Sequence, residues 1–180
     1  MTLFGEVNST TDLDRVIQLS GRDWRKGTTA PTDAPIGTSP EIGVLLFDAV
    51  NELGSVYMSL PDDCDKTQDM RLDLDCSLVN IQLNNDSLDW TLDYTAPQAL
   101  TTGAGIAKTS TQVTSSTTIT TGNGLAVGDI YVASFTISAG DATNPLANAV
   151  GLALEGHLTN VTGVAAIHLL SAHLHYKALY

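Results

Sequence analysis

The chain has 180 residues, of which 43% are hydrophobic and 16% charged, with eight Lys and Arg against twenty Asp and Glu and a net charge of -12. A nucleic-acid binder needs basic side chains to displace phosphate counterions, and an anionic membrane repels an acidic surface, so DNA, RNA and membranes are not expected partners. That length suits one domain, or one domain with an arm, and roughly 70% of the unfolded surface can be buried at this size without disulfides or metal.

The first fifteen residues hold Glu6, Asp12 and Asp14 and no continuous apolar run, so no secretory signal is expected and synthesis in a cytoplasm is. No stretch approaches the ~18 apolar residues of a membrane helix. Thr, Ser, Gly and Asn are abundant, a composition that suits strands joined by turns. Residues 1–40 read as an N-terminal arm and connector. Thr11–Ser20 is a strand or a short helix, and the stretch from Gly27 to Pro40 carries three prolines and two glycines, which excludes a helix interior. Four of the eight basic residues, Arg15, Arg22, Arg25 and Lys26, flank Trp24 here. They read either as a solvated charge cluster or as an arm that docks on an acidic partner.

Residues 41–180 read as the folded domain. Ile42, Leu45, Leu46, Ala49 and Leu53 fit a helical face, while Val44, Leu46 and Phe47 also fit a buried strand; the strand is favoured because Val56–Pro61 is plainly strand-like, and the two are expected to form a hairpin. Met70, Leu72, Leu74 and Cys76 alternate with Arg71, Asp73, Asp75 and Ser77, one face dry and one wet. The phase slips at Leu78–Val79, which predicts a bulge. Leu88, Trp90, Leu92 and Tyr94 repeat the alternation. Ten of the thirteen residues from Thr109 to Thr121 are Ser or Thr, which predicts an exposed strand. Tyr131, Ala133, Phe135 and Ile137 mark another strand, as do Val150, Leu152 and Leu154. In the last strand, Val164, Ala166, His168, Leu170, Ala172, Leu174 and Tyr176 are expected on one face, with Ile167, Leu169, Ser171, His173 and His175 on the other; His168, on the more apolar face, reads as a satisfied core residue. The pattern predicts an all-β fold: a two-sheet antiparallel sandwich, jelly-roll-like, with an extended N-terminal arm.

The segment order Leu46–Ala49, Val56–Asp63, Met70–Leu74, then Trp90, Leu125–Val132, Gly156–Leu158 and Ile167–Tyr176 resembles jelly-roll virion structural proteins of tailed bacteriophages over residues 43–177. Gly156-His157 stands where that family has Gly-Asp, and an insertion precedes Ile167. The resemblance implies a non-enzymatic role on the virion: a capsid decoration or cement protein, a head fibre or a tail-associated module. It implies as partners the major capsid protein or other virion proteins and sister subunits in a homo-oligomer, a trimer among the forms considered. The competing expectation is an adhesive or carbohydrate-binding sandwich of a tail or head fibre. Against it stand the 6% aromatic content and the core parity of Trp90, Tyr131 and Phe135.

No Gly-x-Ser-x-Gly elbow or comparable catalytic context occurs, so neither catalysis nor a cofactor is expected. Asp62, Asp63, Asp65 and Asp69 fall in one turn-like segment that could offer calcium several oxygens, but without Asp-x-Asp-x-Asp-Gly spacing the favoured reading is a solvated acidic loop. His173 and His175, two apart on one strand face, could hold zinc only with ligands from elsewhere; interface or exposed histidines are the favoured reading. Cys64 and Cys76 read as buried or half-buried thiols, and the fold does not demand that they pair.

Overall fold

The computed structural model describes residues 13–36, 42–79, 87–98, 109–118, 127–162 and 166–179. Among the described residues there are eleven strands: β1 (Leu13–Ser20), β2 (Arg25–Lys26), β3 (Thr32–Ile36), β4 (Ile42–Phe47), β5 (Leu53–Ser59), β6 (Met70–Leu78), β7 (Ser87–Thr95), β8 (Thr111–Thr118), β9 (Ile130–Ile137), β10 (Gly151–Thr162) and β11 (Ile167–Ala178). They form a six-stranded sheet in the order β3-β4-β11-β6-β9, with β1 also paired to β11, and a five-stranded sheet in the order β2-β5-β10-β7-β8. Every pair is antiparallel. Within β4 to β11, the first, eighth, third and sixth strands face the second, seventh, fourth and fifth, which is the jelly-roll order.

Alternation makes the core. Leu72, Leu74 and Cys76 of β6, Trp90 and Leu92 of β7, and Phe135 and Ile137 of β9 point between the sheets, as their parity predicts. Phe47 and Trp90 meet edge to face at 5.1 Å between ring centroids. The Trp90 indole N–H donates to the Tyr131 hydroxyl at 2.6 Å, which satisfies both rings inside the core. The Ser/Thr-rich segment forms β8, the outer strand of the five-stranded sheet, as expected.

Three expectations are corrected. First, residues 13–36 are no free arm. β1 runs beside β11 through eight residue pairs, from Leu13↔Ala178 to Ser20↔Ser171, while β3 extends the sheet beyond β4 and β2 extends the other beyond β5. Trp24, expected as a docking residue, is only 4% exposed and belongs to the core. The prolines of the connector do not prevent this, because Pro35 sits in an outer strand, where a missing N–H breaks no central ladder. Second, β4 and β5 do not form a hairpin. They lie in opposite sheets, joined by a crossing turn in which Asn51 has φ 68° and the buried Glu52 carboxylate accepts from the Asp48 and Ala49 N–H groups at 2.7 and 3.1 Å. Third, β11 does not keep one phase. Its register against β6 shifts between Leu169 and Ser171, so Ile167 and Leu169 face the core before the bulge, and Ala172, Leu174 and Tyr176 face it after. His168 is therefore half-buried rather than a core residue, and burial holds its pKa below the usual imidazole value. The slip predicted at Leu78–Val79 runs into residues that lie outside those described.

Cys64 and Cys76 are free and buried. Burial pushes the Cys64 thiol up to about 11 and the Cys76 thiol up to about 12, so neither offers appreciable thiolate at neutral pH. Both are expected to resist a thiol reagent in the native protein and to react stoichiometrically in denaturant; rapid native labelling of Cys76 would contradict its burial.

Candidate functional site

The five-stranded sheet turns one face outward, and its residues follow from the strand register. At the end of β1 a single 3-10 turn, Gly21–Asp23, is closed reciprocally: the Ser20 hydroxyl accepts from the Arg22 N–H at 3.2 Å, and the Asp23 carboxylate accepts from the Ser20 N–H at 2.7 Å. The chain leaves it extended, so that Trp24 turns inward and Arg25 stands exposed. Arg25 pairs with Ser55, Ser55 with Glu155, Glu155 with Asp93, and Asp93 with Gln112. One polar row thus crosses all five strands. In the next row Tyr57 faces Ala153, which faces Thr95.

Tyr57 is the aromatic of this face, 54% exposed. Its phenol lies across β10 at Gly151: a Cβ there would collide with the Tyr57 hydroxyl and stand 2.6 Å from the Met58 carbonyl oxygen, so only glycine permits this approach. Tyr57, Arg25, Ser55, Asp93, Glu155 and Ser110 line an open cleft of about 670 Å³.

The hydrogen-bonding capacity of the cleft is only partly used. Asp93 accepts from the Ser110 hydroxyl and the Gln112 amide, each at 3.3 Å, with His157 Nδ1 4.0 Å away. Arg25, Glu155 and the Tyr57 hydroxyl form no hydrogen bond or ion pair among the described residues. They leave a fork of donors, an acceptor and a hydroxyl open to solvent beside an exposed ring.

The outer face of the six-stranded sheet differs, because its charges are spent on one another. His175 Nε2 lies 3.0 Å and Arg71 3.0 Å from the same Asp73 oxygen, His173 Nε2 lies 3.4 Å from Asp75, and Ser171 donates to Asp75 at 2.7 Å. His173 lies opposite Asp73 and His175 opposite Arg71 across the strands, each half-buried and each within ion-pair reach of a β6 carboxylate. The acidic segment is divided among separate tasks. Asp63 pairs with Arg15 at 3.1 Å, and Asp69 accepts from the Ala139 N–H at 2.8 Å. Asp65 accepts from the Thr67 hydroxyl and N–H, which holds its carboxyl below the usual range, while Asp62 is simply exposed. Among the described residues no three His, Cys, Asp or Glu are placed to hold a metal ion.

The five basic-cluster residues are dispersed in the same way. Arg15 bridges to Asp63, Arg22 Nε donates to the Gly43 carbonyl at 3.2 Å, Lys26 pairs with Asp33 at 2.6 Å, and Trp24 is in the core. Arg25 alone of the five reaches the cleft. Sequence reasoning missed Tyr57 although the signal was present. Val56, Met58 and Leu60 share one parity and are buried, which places Tyr57 and Ser59 on the wet face.

No family model and no curated protein matches this chain. Solved structures similar to it include the xylan-binding module CBM15, at 10% identity and a TM-score of 0.49 over 93% of this chain and 99% of that one. The CBM36-1 domain of a multidomain xylanase from the hindgut metagenome of Trinervitermes trinervoides is similar at 12% identity and a TM-score of 0.47, over 90% and 96% of the two chains. The CBM22-1 xylan-binding domain from Paenibacillus barcinonensis Xyn10C is similar at 10% identity and a TM-score of 0.47, over 91% and 95%. At such scores the likeness assigns no ligand.

Proposed function

We propose that this protein is a glycan-binding β-sandwich module that holds a neutral sugar chain in the cleft of its five-stranded sheet. The observation that carries the reading is the juxtaposition of the exposed Tyr57 ring with the Arg25–Ser55–Glu155–Asp93–Gln112 row. A sugar ring has an apolar face that packs on an aromatic and equatorial hydroxyls that both donate and accept. The cleft supplies a ring, donors from Arg25, and acceptors from Glu155 and Asp93. Mixed charge favours a neutral ligand: an anionic one would meet the carboxylates of Asp23, Asp93 and Glu155, and a cationic one would meet the guanidinium. Of the two sequence-based expectations this is the adhesive one. The shell-cement expectation relied on an arm free to dock, and its aromatic anchor, Trp24, is occupied within the fold.

Affinity electrophoresis against a panel of neutral and acidic polysaccharides tests the proposal. At least one neutral polysaccharide is expected to retard the protein. Tyr57→Ala should then weaken binding roughly tenfold, since it removes the apolar area of the ring together with an aromatic contact of about 0.5–1.5 kcal/mol, with melting unchanged because Tyr57 is on the surface. Retardation by acidic polysaccharides alone would contradict the reading. So would release of reducing ends, which would make Asp93 and Glu155 a hydrolytic carboxylate pair.

A further inference from the structure

Edge strands carry unpaired N–H and C=O groups, and sheets protect them by shortness, charge or proline. The sandwich has two flanks, and they are protected unequally. On one flank, β2 is two residues long, Arg25 and Lys26, and β3 holds Asp33 and Pro35 among five residues. On the other, β8 and β9 are eight residues each, TQVTSSTT and IYVASFTI, without a charge or a proline. Each ends its sheet, and neither pairs on its outer side among the described residues. β9 also exposes Ile130 at 60% and Val132 at 49%. The carboxylates on the next strand inward, Asp73 and Asp75, are held against His175 and His173.

We infer that this flank is a strand-addition interface for a second copy of the chain. β9 would pair antiparallel with β9 of the other copy about a two-fold axis perpendicular to the sheets, with the β8 strands brought together beside them. Two chains of net charge -12 repel over most of their surfaces. The flank without charge is where close approach is least opposed, and an edge that meets its own copy satisfies both rows of backbone groups at once. Such a pairing would continue both sheets across the dimer and leave both clefts open on the same side, so a long ligand would meet two sites. The inference does not depend on the cleft's ligand.

Sedimentation velocity of the full chain over a dilution series tests it. A concentration-dependent dimer is expected. Ile130→Lys/Val132→Lys should shift the protein to monomer at every concentration, since four added positive charges would then lie along one pair of strands. Its melting should match that of the monomeric parent, because both side chains are exposed. Should that variant fail to fold, Ser134→Lys on the same exposed face makes the same prediction. Val16→Lys, a 51% exposed position on β1 away from this flank, should remain dimeric. In the parent, hydrogen exchange of β9 amides should slow as concentration rises. A parent that stays monomeric throughout overturns the inference. A dimer that survives the β9 substitutions, or one lost with Val16→Lys instead, does so equally.

Discussion

A chain that starts at Glu41 will not reach the native fold. Its truncation removes β1, whose eight pairs cover the edge of β11, together with β2, β3 and Trp24. Ile17 and Leu19, which pack against the core from β1, go with them. Trp24→Ala isolates the largest single piece of that loss. The indole lies above Gly54 and Gly156 with its six-membered ring 3.6 Å from where a Cβ would stand at either position, so neither glycine has a side chain to reach into the cavity left behind. Large-to-small core changes at tryptophan cost about 4 kcal/mol, close to half the stability of an ordinary domain. The Trp24 indole N–H has no partner among the described residues, so the loss is one of packing rather than of a hydrogen bond. Denaturant unfolding should show the Trp24→Ala midpoint falling steeply, and the truncated chain should show no cooperative transition. A truncated chain that melts like the parent would restore residues 1–40 as a separable arm.

The second large effect is expected at Asn144, fully buried in the loop between β9 and β10. Its side-chain amide donates to the Thr109 carbonyl and the Thr111 hydroxyl at 2.9 Å each, and its oxygen accepts from the Ala96 N–H at 3.3 Å. Its own N–H donates to Asp141 at 2.5 Å, and that bond, first among several, holds the Asp141 carboxyl below the usual range. Asn144 thereby ties the loop to the ends of β7 and β8. Asn144→Ala removes the side-chain hydrogen bonds to two segments, the end of β7 and the start of β8, and should cost about 3 kcal/mol. Asn144→Asp should cost more at neutral pH, because an ionised carboxylate would face the Thr109 carbonyl without a proton to give. Lowering the pH through the carboxylate range protonates it, so the gap between the two variants should narrow in acid. Equal stability of Asn144→Ala and the parent would remove Asn144 from this role.

Much of the fold was legible because half-buried strands write their parity into the sequence. Leu72/Leu74/Cys76, Leu88/Trp90/Leu92 and Tyr131/Ala133/Phe135 show it directly. Connectivity was less so. Nothing local distinguishes a hairpin from a crossing turn at 48–52, where Glu52 bonds two backbone N–H groups and the chain changes sheets. Composition misled at 13–36: basic residues and prolines suggest an arm and connector, yet Arg15, Arg22 and Lys26 each find a partner within the fold, Arg25 stands in the cleft, and the one large aromatic turns inward. The β11 bulge inverted the parity of half a strand, which placed His168 on the wrong face. The cleft was hidden for a different reason. Its row is assembled from residues on five strands, adjacent only through register, and its aromatic was overlooked among others that are core-bound.

A nuclear magnetic resonance titration of the isotope-labelled full chain shows where a ligand sits. The probe is the neutral oligosaccharide cut from whichever polysaccharide retards the protein most. Shift changes are expected at Arg25, Ser55, Tyr57, Asp93, Gln112, Ala153 and Glu155, with the His173–His175 face of the other sheet unmoved. Changes confined to that other face, or none up to saturating sugar, would contradict the assignment of the cleft.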